Sequence, residues 1–163
     1  MRVVEHSSTG IEQILSELKG VYGTFPINQT TVTVSPERYD RVRRADGQAW
    51  IDLYAMVRNG TGDVLHVDGE SGCVLPGISV DEGASLEPTL RSTVWEQTGI
   101  DCRIAGIAEA RIVGIRDRAR ADSDTVYRLA VVFESESLAG SPTDDACWLD
   151  DIQGLPVWAE NRE

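Results

Sequence analysis

Lysine is almost absent from this chain of 163 residues: Lys19 stands alone, and every other basic residue is arginine. Acids outnumber bases, with 27 Asp and Glu against 15 Lys and Arg, and the formal net charge is −12. Nucleic acids and anionic membranes are bound through basic surfaces, so this charge argues against both as partners. A dispersed acidic surface with little lysine is typical of a halophilic, salt-accumulating cytoplasm. A GC-rich genome, which exchanges lysine for arginine, is the rival explanation.

Cysteine and histidine are also scarce, and they are scattered. Cys73, Cys102 and Cys147 are odd in number and lack the spacing of a zinc site or a disulfide framework. Their apolar neighbours favour small buried side chains over nucleophiles. His6 and His66 are isolated, so we do not expect zinc. We find neither a charged-then-apolar leader nor a long apolar run, and we therefore expect a cytoplasmic protein without membrane contact.

Residues 1–45 are predicted to form an extension that packs on a domain of residues 46–163. The segment GIEQILSELKG has its apolar residues on one side and predicts a helix that stops at Gly20. TTVTVS predicts a strand, and SPERYDRVRR predicts a helix with Ser35 as its N-cap and Pro36 in first position. Two roles stay open for this extension: it covers one face of a sheet, or it forms a homodimer contact.

The most informative stretch is LPGISVDEGASLEPTLRSTVWEQTGI, residues 75–100. Its Pro-Gly pair ends an apolar run and forces a turn. Ser85 is a favourable N-cap, because its hydroxyl can accept from the first backbone N–H groups of a helix. Gly99 suits the left-handed conformation that ends helices. These signals predict a helix from Leu86 to Thr98.

Spacing along this helix assigns its faces. Apolar residues recur every four positions and predict a buried stripe of Leu86, Leu90 and Val94. Thr93, Glu96 and Gln97 share another face, because residues three and four apart are neighbours. Glu87 and Arg91 have the spacing of a surface ion pair, which is worth about 0.3 kcal/mol.

This loop, helix and stop resemble the signature of the Nudix hydrolase family, G-x5-E-x7-R-E-U-x-E-E-x-G-U, in which U is apolar. Counted back from Gly99-Ile100, the opening glycine of the signature falls on Ile78. Pro76-Gly77, Val80, Asp81 and Gly83 also fit its extended form, and the box with Gly77 covers residues 77–100. The frame of a diphosphate-binding loop and helix is kept.

Several positions of that signature carry other residues here. The paired glutamates fall on Glu96 and Gln97, the arginine–glutamate pair on Ser92 and Thr93, and the first glutamate on Ala84. The box is therefore degenerate: its architecture is present, and most of its metal-binding carboxylates are replaced.

The resemblance extends over roughly residues 49–156. AWIDLYAMVRNGTGDVLHVDG predicts an opening hairpin, and IAGIAEARIVGI and TVYRLAVVFES predict two further strands. ACWLDDIQGLP resembles a late segment in which a tryptophan precedes an acidic turn. The resemblance implies an α+β fold, namely a Nudix-type α/β/α sandwich with a mixed β-sheet, here with an N-terminal helix and strand extension.

Family membership would imply hydrolysis of a nucleoside diphosphate linked to another group. Mg²⁺ or Mn²⁺ offsets the phosphate charge in such a reaction, and these ions prefer carboxylate ligands. In this chain Glu96, Gln97 and Thr93 stand at the metal positions, and only Glu96 is charged. Because neutral ligands stabilise a dication less, we expect weak metal binding.

Residues outside the signature supply the remaining candidates. Glu109 lies on a predicted strand between small residues, and with Glu96 it makes the candidate catalytic pair. Arg111 and Arg128 also lie on predicted strands, and arginine can hold a phosphate through two hydrogen bonds. They are the predicted substrate contacts.

Three functions follow from this reading. The first is a Nudix-family protein that binds a small nucleotide-type ligand with weak or lost hydrolysis. The second is an active, metal-dependent pyrophosphohydrolase for ADP-ribose or nucleotide-sugar substrates, using carboxylates outside the box. The third is a partner-binding domain with the extension as its interface. Similarity of fold alone does not decide among them.

Overall fold

The computed structural model describes residues 2–45, 50–69, 72–120 and 122–152. Its elements are α1 (Arg2–Tyr22), β1 (Ile27–Val34), α2 (Pro36–Ala45), β2 (Ile51–Arg58), β3 (Val64–Gly69), β4 (Gly72–Val74), β5 (Gly77–Val80), α3 (Leu86–Thr98), β6 (Ile100–Asp117), β7 (Val126–Gly140) and β8 (Ala146–Leu149). Ala49 and residues 153–156, which belong to the span of the predicted resemblance, lie outside the described residues. None of the described helices is both long and apolar enough to cross a membrane.

One mixed sheet runs through the described part of the chain. Its strands follow the order β1-β6-β7-β2-β3-β4, while β5 pairs with β2 and β8 pairs with β3. β1 is parallel to β6 and β2 is parallel to β7, whereas the long strands β6 and β7 are antiparallel. Every strand predicted from the sequence is present, and the short strands β4, β5 and β8 are additions.

Helices cover both faces of this sheet, because side chains alternate between faces along each strand. On one face, α1 and α3 bury a shared core that includes Ile14, Leu90 and Phe133. On the other face, α2 packs Tyr39 against Ile115. The predicted α+β fold, with helices on both sides of a mixed sheet, is confirmed.

The predicted end of α1 at Gly20 is wrong. The helix continues to Tyr22, and Gly23, at a φ of 82°, ends it by donating its N–H to the Lys19 carbonyl at 2.9 Å. A glycine inside a helix costs only about 1 kcal/mol. The added turn places the Tyr22 ring edge-to-face on Phe133, with centroids 5.8 Å apart. Tertiary packing thus overrides the local stop signal.

The predicted boundaries of α3 are confirmed. The helix spans Leu86–Thr98, and Gly99, at a φ of 78°, donates its N–H to the Trp95 carbonyl at 2.9 Å. Leu90 and Val94 are fully buried, as the spacing predicts. Ser85 has the extended backbone of an N-cap, but its side chain makes no capping hydrogen bond.

The predicted ion pair between Glu87 and Arg91 is wrong. Arg91 pairs instead with Asp101 at 3.1 Å. Glu87 accepts a hydrogen bond from the Tyr22 hydroxyl, and burial together with this contact raises the pKa of Tyr22. These two contacts replace the local pair, and the hydrogen bond between Tyr22 and Glu87 joins α1 to α3.

Thiol reactivity is expected to separate the three cysteines. Cys102 lies in the core, and burial raises the pKa of its thiol to about 11. Cys147 is partly exposed, and burial followed by contact with Cys73 raises its pKa. Because the thiolate is the reactive form, Cys73 should react first with dithiobis(nitrobenzoate) at mildly alkaline pH. Cys102 should react only after unfolding in guanidinium, and equal labelling rates for Cys73 and Cys102 in the folded protein would contradict this prediction.

Candidate functional site

A cleft of about 580 Å³ lies between the C-terminal half of α3, β5 and the β3–β4 hairpin. Its apolar wall includes Tyr54, Leu75 and Ile78. Its acidic side chains are Asp68, Glu96 and Asp145. None of the described residues that line it is Lys, Arg or His, so the cleft carries negative charge.

Gln97 forms two hydrogen bonds with the backbone of Gly77 in β5, a contact termed the Gln97 clasp. Its side-chain amide donates to the Gly77 carbonyl at 3.0 Å, and its side-chain carbonyl accepts from the Gly77 N–H at 3.3 Å. A carboxylate can only accept hydrogen bonds, so a glutamate at this position could not complete both contacts. Gln97, a predicted metal position, thus holds the floor of the cleft in place.

Thr93 is turned into the helix. Its hydroxyl donates to the Thr89 carbonyl at 2.9 Å, and the residue is 5% exposed. This predicted metal position does not line the cleft. Glu96 does line it and is exposed. Of the three predicted metal positions, Glu96 is the one that places a carboxylate in the cleft.

The donor set does not fit a tightly held divalent metal. Such an ion takes several oxygen ligands, mostly carboxylates, whereas α3 supplies the Glu96 carboxylate and commits the side chains of Thr93 and Gln97 elsewhere. Among the residues that the structure describes, no three His, Cys, Asp or Glu side chains are grouped so that they could hold a metal ion.

Arg128 forms a buried ion pair beneath the cleft. Its guanidinium donates to both carboxylate oxygens of Asp52, at 2.8 and 3.1 Å, and the two side chains are 6% and 5% exposed. The Ser79 hydroxyl donates to the same carboxylate at 2.5 Å and brings β5 into the network. Arg128, a predicted substrate contact, therefore joins β7, β2 and β5 under the cleft.

Glu109 and Arg111 lie together at a second, smaller cavity of about 260 Å³, whose other walls include Met56 and Leu75. Their side chains form an ion pair of 2.7 Å and are 27% and 21% exposed. Asn28 donates to the same glutamate at 3.3 Å. Leu75 lines both cavities, so the second cavity adjoins the cleft.

The sheet register sets the span between these two places. Glu109 lies opposite Val132, Val132 opposite Tyr54, and Tyr54 opposite Gly77. Three strand spacings of about 4.8 Å separate the ends of this row, or about 14 Å. Glu109 and Gly77 therefore lie at opposite ends of one row across four strands of the sheet.

Asp68 and Asp145 are site residues that the sequence did not indicate. The Asp68 N–H donates to the Asp145 carbonyl at 2.9 Å, where β3 meets the turn before β8. Neither residue belongs to a motif, and the pairing of β3 with β8 joins segments almost 80 residues apart. The signal that could have found them is the acidic turn before Trp148, once its pairing was known.

Comparison with known proteins gives matches among solved structures. No protein-family model and no curated protein sequence matches the chain. An ADP-ribose pyrophosphatase from Streptococcus suis is 17% identical, with a TM-score of 0.44 over 66% of this chain and 79% of that one. A MutT protein from Methanosarcina mazei is 27% identical, with a TM-score of 0.42 over 61% of this chain and 75% of that one.

Two further matches differ in coverage. A UDP-X diphosphatase is 15% identical, with a TM-score of 0.49 over 95% of this chain and 82% of that one. The chain spans only 36% of a longer protein from Sinorhizobium meliloti, to which it is 19% identical at a TM-score of 0.43. In its fold the chain is similar to Nudix proteins, the ADP-ribose pyrophosphatase, the MutT protein and the UDP-X diphosphatase among them.

Proposed function

We propose that this protein binds a nucleoside diphosphate-linked ligand in the groove formed by the two cavities, and that it hydrolyses this ligand weakly or not at all. The observation that carries the proposal is the double hydrogen bond between Gln97 and Gly77. At a position where Nudix hydrolases place a metal-binding glutamate, this chain uses an amide to shape the cleft.

Charge along the groove indicates how such a ligand would lie. The cleft is acidic through Asp68, Glu96 and Asp145, so a bare diphosphate would be repelled. The ligand is therefore proposed to enter with its own divalent counter-cation, which Glu96 faces. Its less charged end lies over Leu75 toward Arg111, whose partly exposed guanidinium can contact it.

Active hydrolysis is the second candidate, and one observation favours it. Asp68 and Asp145 bring two carboxylates from outside the box to the same cleft as Glu96. Glu109, the outside carboxylate predicted from the sequence, instead pairs with Arg111 in the adjoining cavity. In this alternative Glu96, Asp68 and Asp145 act from separate positions along the cleft, since they are not grouped as metal ligands in the described residues, and Glu109 contacts the ligand.

Thermal shift and product release, measured on the same samples in high potassium chloride, test the proposal. ADP-ribose, nucleotide sugars and nucleoside triphosphates are each added with Mg²⁺, with Mn²⁺ or with a chelator. Binding predicts a cation-dependent rise in melting temperature without monophosphate or phosphate release. Turnover that vanishes in Glu96→Gln would support the hydrolase instead. The absence of both a thermal shift and product release would favour a partner-binding domain.

Two neighbouring substitutions separate the structural role of Gln97 from ligation. Gln97→Glu removes the donor to the Gly77 carbonyl and is expected to cost about 1 kcal/mol of unfolding free energy. Glu96→Gln changes an exposed side chain outside the clasp and is expected to stay within about 0.5 kcal/mol of the parent. Urea unfolding measures both, and equal stabilities for the two variants would contradict the clasp.

A further inference from the structure

We propose that the outer edge of β1 pairs with β1 of a second copy of this chain, joining the two sheets across a two-fold axis. The edge lies at the far end of the strand order from the cleft, with β6 and β7 between β1 and β2. The described residues that line the groove do not include β1, although Asn28 donates to Glu109 at its far end. The pairing proposed here does not depend on the ligand.

Hydrogen bonding to β6 fixes which backbone groups of β1 face outward. The Ala110 N–H donates to the Pro26 carbonyl at 3.0 Å, and the Arg118 N–H donates to the Val34 carbonyl at 2.8 Å. In a parallel pair, alternate residues direct both N–H and C=O toward the same neighbour. The even-numbered residues of β1 thus face β6, and the outward-facing set is Ile27, Gln29, Thr31 and Thr33.

Within the described residues, no strand covers this edge. Residues 27–31 and Thr33 are exposed, and among the described strands β6 is the one that pairs with β1. All eight residues of β1 pair with β6 in an unbroken register. Natural edge strands are usually protected by charges, proline or bulges, and INQTTVTV contains no charged residue and no proline.

The absence of charged residues from β1 favours a second copy of this chain as the partner of its outer edge. The chain carries a net charge of −12, so most approaches of two copies bring acids together. β1 is a neutral strand with β-branched residues, and such strands pair well with their own kind. Exposed edges commonly bind an added strand through main-chain hydrogen bonds.

Symmetry sets the register of this pairing. An antiparallel pair centred on Thr30 places Ile27 opposite Thr33 and Gln29 opposite Thr31 of the second copy. Each of these pairs joins two outward-facing residues, so all four take part in main-chain hydrogen bonds. A two-fold contact uses the same surface on both copies, and here it places no like charges opposite one another.

Charge substitutions at the edge test both the contact and its register. Light scattering after size exclusion, over a wide range of concentrations, should give the wild type a mass near twice 17.8 kDa at its upper end. Gln29→Lys with Thr31→Lys puts lysine opposite lysine and should give the monomer mass. Gln29→Lys with Thr31→Glu puts lysine opposite glutamate and should restore the dimer.

Circular dichroism and melting temperature establish that both double variants fold, which the exposure of both side chains favours. A wild type that stays monomeric at every concentration would overturn the proposal. A dimer that persists with lysine at both positions would also overturn it, because the edge could not then be the interface. Two monomeric double variants would overturn the antiparallel register centred on Thr30.

Discussion

Replacing Asp52 by alanine is expected to lower the free energy of unfolding by about 3 to 5 kcal/mol, the usual cost of breaking a buried ion pair from one side. The substitution removes the carboxylate that accepts two hydrogen bonds from Arg128 and one from Ser79. The Arg128 guanidinium is 6% exposed and would lose the ion pair and both hydrogen bonds to Asp52. Urea unfolding followed by circular dichroism measures the loss.

A double variant separates the ion pair from simple packing. Asp52→Leu together with Arg128→Met removes both charges and fills similar space with apolar atoms. Such exchanges of a buried pair are often neutral or stabilising, so the double variant should recover most of the loss. If Asp52→Ala alone costs less than about 1 kcal/mol, the pair does not hold β2, β5 and β7 together as described.

Replacing Gly77 by alanine is expected to be the most damaging change at the cleft. An added Cβ would overlap the Leu53 carbonyl oxygen and lie 2.7 Å from Cδ1 of Tyr54. The carbonyl belongs to a central strand and cannot move away freely. Overpacking of this kind costs about 1 to 3 kcal/mol, occasionally more, and the displaced backbone would also break the Gln97 clasp.

The matched control for that change is Gly83, in the turn between β5 and α3. A Cβ at Gly83 would meet only Asp81 Oδ1 at 3.5 Å, an ordinary contact. Gly83→Ala should therefore stay within about 0.5 kcal/mol of the parent and keep the ligand-induced thermal shift. Gly77→Ala should lower the free energy of unfolding and abolish the ligand-induced thermal shift. Equal stability and equal thermal shift for the two variants would contradict the tight packing of β5 on β2.

Local signals explain why α3 was predictable and the end of α1 was not. Gly99 combines a glycine with the end of the apolar stripe. The distant contact at this end, from the Thr143 N–H to the Thr98 carbonyl at 2.9 Å, supports the same stop. Gly20 carries the same signal, but Tyr22 gains Phe133 and Glu87 as partners when the helix continues. Those partners come from other parts of the chain, and sequence spacing does not show them.

The position of the site could be predicted from the sequence, but the contacts of several of its residues could not. Counting along the box placed Glu96 at the cleft, and alternation placed Arg111 and Arg128 on strands. Arg128 meets Asp52 because the parallel pairing of β2 and β7 puts Asp52 opposite Ala130, two residues along the strand from Arg128. That register joins distant parts of the chain. Which side chains turn to a cleft depends on pairing, and pairing is not local.

One titration tests the central claim most directly. ADP-ribose with Mg²⁺ is titrated into the protein by calorimetry, and the recovered sample is then separated by ion-exchange chromatography. We predict saturable heat in the wild type and a ligand that is recovered intact. Quantitative conversion to AMP by the wild type, abolished in Glu96→Gln, would contradict the claim that this box shapes a binding cleft and no longer supports hydrolysis.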